Sequence, residues 1–277
     1  AVELLLTLTK ILGITRKILS FNWIKKNYNI SILEKNLNLR QNIKKKFPKT
    51  ILYESLSDLE LNQFNIIILC IKPDDSLKVL KSLSNNITSK QIIISLVAGL
   101  KIKVINQILG KKDNIFRVMP NIFVSVKSSS TAIYTEKNNG NYLKSKSKID
   151  KLFSNFGKNI WLKKEEEMNF FTALFGGGPA YFFFFLSILT EISIEKGIKP
   201  NIAFDLVTNL LKGTFEYLNV NGDDLSFQIS KVTSKGGTTE EAVNFLKNKN
   251  RLYKLILSSL SKAEKKSKKI SSSLMVK

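Results

Sequence analysis

The sequence predicts an α/β protein: an N-terminal Rossmann-like, doubly wound sheet of mainly parallel strands, followed by an all-α half. Three observations carry that reading. Short β-branched, apolar runs alternate with helix-patterned segments as far as about residue 162. The runs are apolar at successive rather than alternate positions, as strands covered on both faces require. From Lys163 onward the apolar period is helical and strand-like runs are scarce.

Residues 28–33 read as a strand, 36–47 as a helix, 65–70 as a buried strand and 75–83 as a helix. A further buried strand over 91–96, a helix over 102–109 and a strand over 114–119 continue the alternation. Segments 130–134 and 159–162, flanking a helix over 142–156, extend the same sheet. The helical half divides into 165–174, 179–196, 200–218, 224–229, 240–247 and 252–269. Gly197 followed by Pro200 is a stop and restart signal, glycine past one helix end and proline at the next start. The domains are therefore expected at 1–162 and 163–277. The run Phe182-Phe183-Phe184-Phe185 makes its helix apolar all round, which calls for burial on every side. A homodimer or higher homo-oligomer built through the helical half supplies it; a helix central to its own domain is the plainer alternative.

Composition narrows the function. A chain of 277 residues, 43% hydrophobic, is ordinary globular material. One cysteine, Cys70, forms no internal disulfide, and the lack of histidine removes the usual zinc-ligand sets, so a metal site is not expected and a cytoplasmic location fits. The longest uninterrupted apolar run, 179–190, is about half the length a bilayer crossing needs, and the first residues are acidic rather than basic, against a signal peptide and a membrane protein. The net charge of +22 is spread along the whole chain instead of forming a stripe, which argues for a solvated surface over nucleic-acid binding. Attraction of anionic ligands by the overall field is the consequence that remains.

Two glycine clusters hold the chemistry. They are Ala173-Leu174-Phe175-Gly176-Gly177-Gly178-Pro179-Ala180-Tyr181 and Val232-Thr233-Ser234-Lys235-Gly236-Gly237-Thr238-Thr239. In each, absent side chains let backbone approach a ligand, and the helix that follows points free N–H groups into the space, a way to hold a small anion. Cys70-Ile71-Lys72-Pro73, Leu96-Val97-Ala98-Gly99 and Met119-Pro120-Asn121 follow successive strands, where ligands bind in such sheets.

The clusters and these loops together resemble the pyrroline-5-carboxylate reductase family over residues 28–268. The resemblance implies reduction of 1-pyrroline-5-carboxylate to L-proline with NADPH or NADH, the last step of proline biosynthesis, by a homodimer or larger homo-oligomer. It places Cys70, Ile71, Lys72 and Pro73 by the nicotinamide or ribose, and Leu96, Val97 and Ala98 along the dinucleotide. Val232, Ser234, Gly236, Gly237 and Thr238 go to the substrate pocket, between the two domains. Thr239 would be the hydroxyl beside the ring nitrogen, hence the catalytic residue. An N-cap leading into Glu240 and Glu241 is the bland alternative for Thr238 and Thr239. Glu165 falls where the family has an acidic residue near the ligands; an exposed acidic helix start is its alternative. Glu34 favours a ribose hydroxyl and NADH, whereas Lys35 beside it favours the extra phosphate of NADPH.

The likeness breaks at the family's first glycine loop. Where G-x-G-x-x-G is usual, this chain reads Thr9-Lys10-Ile11-Leu12-Gly13-Ile14-Thr15-Arg16-Lys17, which leaves Gly13 alone to meet the pyrophosphate. Either the start of the sequence is altered or the chain is cofactor-defective; Arg16 and Lys17 offer charge but not space. Two further readings stand beside the reductase. One is a non-catalytic oligomeric remnant, the other a 3-hydroxyacid-type dehydrogenase, for which no lysine here has a supporting motif. Imine reduction needs no metal and no histidine, so the composition is compatible with it.

Overall fold

The computed structural model describes residues 2–8, 28–110, 114–136, 142–222 and 224–274. It contains two compact units, Ala1–Gly177 with Ala263–Lys277, and Gly178–Lys262. The division at Gly177 falls later than the change of period at Lys163, and the chain's last turns join the sheet unit rather than the helical one.

The first unit is built on eight strands in the order β3-β2-β1-β4-β5-β6-β7-β8. These are β1 (Val2–Leu8), β2 (Tyr28–Glu34), β3 (Ile51–Tyr53), β4 (Ile66–Cys70), β5 (Ile92–Ser95), β6 (Ile115–Met119), β7 (Ser129–Tyr134) and β8 (Gly157–Trp161). All neighbours run parallel except β6 and β7. The reversal follows a short 3₁₀ turn, Ile122–Val126, closed by Lys127 in the left-handed region at φ 59°. Of the strands, β3 is too short to show periodicity, and β1, though apolar, precedes the segment where the pattern is lost.

Successive β4 side chains feed opposite faces, as the strand period of two demands. Ile66, Ile68 and Cys70 join one core with Ile43 of α1 (Leu37–Lys46). Ile149, Leu152 and Phe153 of α4 (Tyr142–Ser154) complete it. Ile67, Leu69 and Ile71 join the other, with Leu80 and Leu83 of α2 (Pro73–Leu83) and Ile102 and Ile105 of α3 (Ile102–Leu109). Leu274 is buried in this second core and Ile270 packs against it. Burial on both faces is what makes the β4 and β5 sequences read as unbroken apolar runs.

The chain continues through α5 (Glu167–Phe171) and a π-helical turn, Thr172–Gly176. Then come α6 (Gly178–Glu195), α7 (Pro200–Asn221), α8 (Leu225–Lys231), α9 (Thr238–Lys247) and α10 (Arg251–Ser273). Gly197 takes φ 93° and Pro200 opens α7, the stop and restart read from the sequence. In the second unit α6 and α7 pack together, yet Phe182, Phe183, Phe184 and Phe185 all remain more than half exposed in the single chain. Counted across the glycines and the π-helical turn, the span Glu167–Glu195 has 29 residues and a window of mean hydropathy 1.5, long and apolar enough to cross a bilayer. The uninterrupted run of 179–190 understated it because helix continuity does not stop at the glycines.

Candidate functional site

Strand register brings the expected dinucleotide loops to one edge of the sheet. Leu8 lies beside both Glu34 and Cys70, and Leu69 beside Ser95, so β1, β2, β4 and β5 end level and their loops leave on the same side. That edge, at the point where the strand order reverses, is where doubly wound sheets bind nucleotides. Gly13 lies outside the described residues.

After β2, the Glu34 carboxylate accepts the Asn36 N–H at 2.9 Å, and burial, partly offset by that bond and by Arg40, raises its pKa above the ordinary carboxylate value. Arg40 donates to the carbonyls of Glu34 and Lys35 and pairs with Glu54 at 2.7 Å, which fixes the turn that carries exposed Lys35. An open hollow of about 420 Å³ between α1 and the end of β3 is lined by Arg40, Lys44, Tyr53 and Glu54. After β4, Cys70 and Ile71 are fully buried and can offer a ligand only backbone. Lys72 is exposed at the N-cap of α2 and Pro73 sits at its first turn, where a missing N–H costs nothing.

The loop after β5 is the most tightly held. Leu96 N–H bonds the Leu69 carbonyl at 3.0 Å and Val97 N–H bonds Ser95 Oγ at 3.3 Å. Gly99 has φ +79°, and a methyl group there would stand 2.8 Å from Ile270 Cγ2 and 3.0 Å from Ser271 N. Next to it, the Ile102 N–H that opens α3 donates to Glu165 Oε1 at 2.8 Å. The same oxygen accepts from Arg117 Nη1 at 2.9 Å in an ion pair whose side chains are 7% and 11% exposed. Its negative charge is felt nearby: burial first, then Glu165, raises the pKa of Glu136. One oxygen of the Glu165 carboxylate, Oε1, is thus engaged by two protein groups. Arg117 was not singled out in the sequence, although a lone charge inside the apolar 114–119 strand must find a buried partner.

Beyond β6, Asn121 ties its loop to the first glycine cluster. Its Nδ2 donates to the Phe175 carbonyl at 3.0 Å, its Oδ1 accepts Phe123 N–H at 3.0 Å, and its own N–H bonds Ser129 Oγ. Met119 reaches the same turn, since a Cβ on Gly176 would lie 3.5 Å from its Cε. Phe175 packs its ring on Phe171 with centroids 4.7 Å apart. Asn121→Ala should therefore cost about 1–2 kcal/mol, one cap and one half-buried bond, read as a fall of roughly 3–6 °C in Tm by calorimetry.

In the second unit, Gly236 takes φ +75° and Gly237 is the N-cap of α9, with no side chain capping the helix. The N-cap is therefore neither threonine. Thr238 and Thr239 occupy the first two helical positions, are exposed, and have N–H groups with no intrahelical carbonyl to reach. The Thr239 hydroxyl makes no hydrogen bond among the described residues. Two expected anion donors are occupied: Gly236 N–H donates to Glu240 Oε2 at 2.6 Å and Gly237 N–H to the Ser234 carbonyl at 3.0 Å. Glu240, expected only as a helix-start acid, thus holds one of them, and its carboxylate shows the kind of anion the loop accepts. Val232 and Ser234 are exposed on the same loop. Among the described residues no group of histidine, cysteine or acidic side chains could hold a metal.

Comparison with known proteins gives a consistent answer. Residues 165–270 match the family described as pyrroline-5-carboxylate reductase dimerisation. A pyrroline-5-carboxylate reductase of Aquifex aeolicus (strain VF5) is 33% identical over 210 residues, 74% of this chain and 75% of that protein. The solved structure of a pyrroline-5-carboxylate reductase from Coxiella burnetii is similar at TM-score 0.82 and 25% identity, covering 97% of this chain and 98% of that one. A Plasmodium falciparum pyrroline carboxylate reductase with NADP bound shares the fold at TM-score 0.80 and 24% identity, with 98% of each chain covered.

Proposed function

The chain belongs to the pyrroline-5-carboxylate reductase family, and from that premise we propose how its residues divide the reduction of 1-pyrroline-5-carboxylate to L-proline. NADPH or NADH supplies the hydride that C5 of the imine receives. The residues present fit a dinucleotide: loops 70–73 and 96–98 leave one sheet edge, and exposed Lys72 adds a positive charge to it. Lys35, on the turn fixed by Arg40, faces the adenosine end.

The substrate's carboxylate is assigned to the start of α9. Backbone N–H groups of Thr238 and Thr239 bind it, and those of Gly236 and Gly237 join them once Glu240 and the Ser234 carbonyl yield. Val232 and Ser234 border the ring. The Thr239 hydroxyl donates to the lone pair of the ring nitrogen, polarising the C=N bond and stabilising the negative charge that grows on nitrogen as hydride reaches C5. The observation that carries this is the uncapped start of α9, with Gly236 in the left-handed region and the hydroxyl of Thr239 uncommitted. The enzyme works as a homodimer or larger homo-oligomer through the matched dimerisation segment, and the lone, buried Cys70 fits a reducing cytoplasm.

The test is the rate of NADPH and NADH oxidation by the purified chain on adding pyrroline-5-carboxylate. A rate that saturates with the imine is expected. If the chain is silent, a family glycine-rich segment grafted over residues 1–22 should restore turnover; silence after grafting overturns the reading.

A further inference from the structure

The loop expected along the dinucleotide is gripped from two sides by residues far from it in sequence. On one side the Glu165 carboxylate accepts the Ile102 N–H just past the loop, and is itself held by Arg117 on β6. On the other, Ile270 and Ser271 near the end of α10 close on Gly99, which has no room for a side chain. Ser271 is buried, Leu274 is locked into the core beneath, and Ser267 Oγ bonds Asn169 Oδ1 at 2.9 Å, so this end of α10 is anchored. Between the two grips lie Leu96, Val97, Ala98 and Gly99, with the Leu69 carbonyl and Ser95 Oγ fixing their first two N–H groups.

We infer that Glu165 is a positioning residue for the dinucleotide: through the Ile102 N–H it sets the shape of the 96–101 loop and leaves the imine to others. Glu165 is nearly enclosed, and its Oε1 already serves a cation and an N–H, which commits that oxygen to the loop and not to the imine. A loop with its backbone fixed before binding spends less conformational entropy when the ligand arrives, so loosening it appears in dinucleotide affinity. This rests on the reductase reading.

The experiment pairs two variants of the full chain. Arg117→Met with Glu165→Leu removes the ion pair as a whole, avoiding a lone buried charge. Ile270→Ala loosens the opposite grip and keeps Glu165. Titration of NADPH and NADH by ligand fluorescence, with circular dichroism as the check on folding, should show affinity weakened by about tenfold in the double variant, the scale of one lost charge-assisted hydrogen bond, and by a smaller factor in Ile270→Ala, which loses only apolar packing. KM for pyrroline-5-carboxylate at saturating dinucleotide should change by less than about twofold, since its contacts are elsewhere. Unchanged dinucleotide affinity in the folded double variant overturns the inference, as does a raised imine KM with dinucleotide affinity intact. A wild-type chain that binds neither dinucleotide removes the reductase reading, and this inference with it.

Discussion

Thr239→Ala is expected to lower kcat by about 100-fold while the imine KM moves little, because a donor aimed at developing charge acts mainly in the transition state. The residue stands second in α9, exposed, with its hydroxyl bonded to nothing else among the described residues. If the hydroxyl served only the helix start, its loss would be a matter of capping, worth about 1 kcal/mol. The geometry already weakens that alternative, since Gly237 is the N-cap. Alanine is the best helix former, so the variant should fold as well as the parent. Thr239→Ser separates the cases: it keeps a hydroxyl and should recover most of the rate. Steady-state kinetics in which the alanine variant loses less than about fivefold, or in which serine is no better than alanine, would remove Thr239 from the reaction.

Much of the fold was legible because its strongest signals are local. The β4 and β5 runs are largely β-branched and carry no charge, since both faces of the sheet are covered, and that pattern has no competing helical reading at their length. Other features are not local. Ile51–Tyr53 is three residues, too few to carry a period. The direction of β7 is set by the turn ending at Lys127, and no residue within β7 records it. Helical period shows that α10 has an apolar stripe but not which surface the stripe meets. Its last turns therefore fell on the helical side of the expected boundary, although Ile270 and Leu274 pack in the sheet unit's core.

The candidate site divides in the same way. Loops after strands can be located from the strands themselves, so 70–73, 96–98 and 119–121 stood out. A side chain's partner across 48 residues, Arg117 for Glu165, leaves only the trace of a charge in an apolar strand. The occupied donors of the second glycine cluster were equally hidden, because the sequence gives the spacing of Gly236 and Glu240 but not that the carboxylate folds back on the N–H.

A charge placed in the aromatic run should have the other large effect: Phe184→Lys is expected to turn the homo-oligomer into monomers at micromolar concentration. In the single chain Phe184 is 69% exposed, and Ile188, Ile192, Phe204 and Leu210 add to an apolar surface on α6 and α7. A groove of about 700 Å³ between these helices is lined by Phe183, Leu186, Ile194 and Phe204. Soluble monomers rarely expose contiguous apolar patches of more than a few hundred Å². The match of residues 165–270 to a dimerisation family points to a second copy as the cover. In a two-fold interface each substitution is counted twice. Losing two buried phenylalanines at about 1.5–3 kcal/mol each, and burying two unpaired ammonium groups, weakens association by more than 10³-fold. Light scattering coupled to size exclusion reads the outcome directly, with the parent chain at twice the monomer mass or more. The span Glu167–Glu195 supplies the rival occupant, since its length and hydropathy also suit a bilayer. A parent chain that floats with lipid vesicles and is monomeric in detergent would assign this surface to lipid. A parent chain that is oligomeric without detergent, and is dispersed by Phe184→Lys with its far-ultraviolet spectrum intact, assigns it to a second copy.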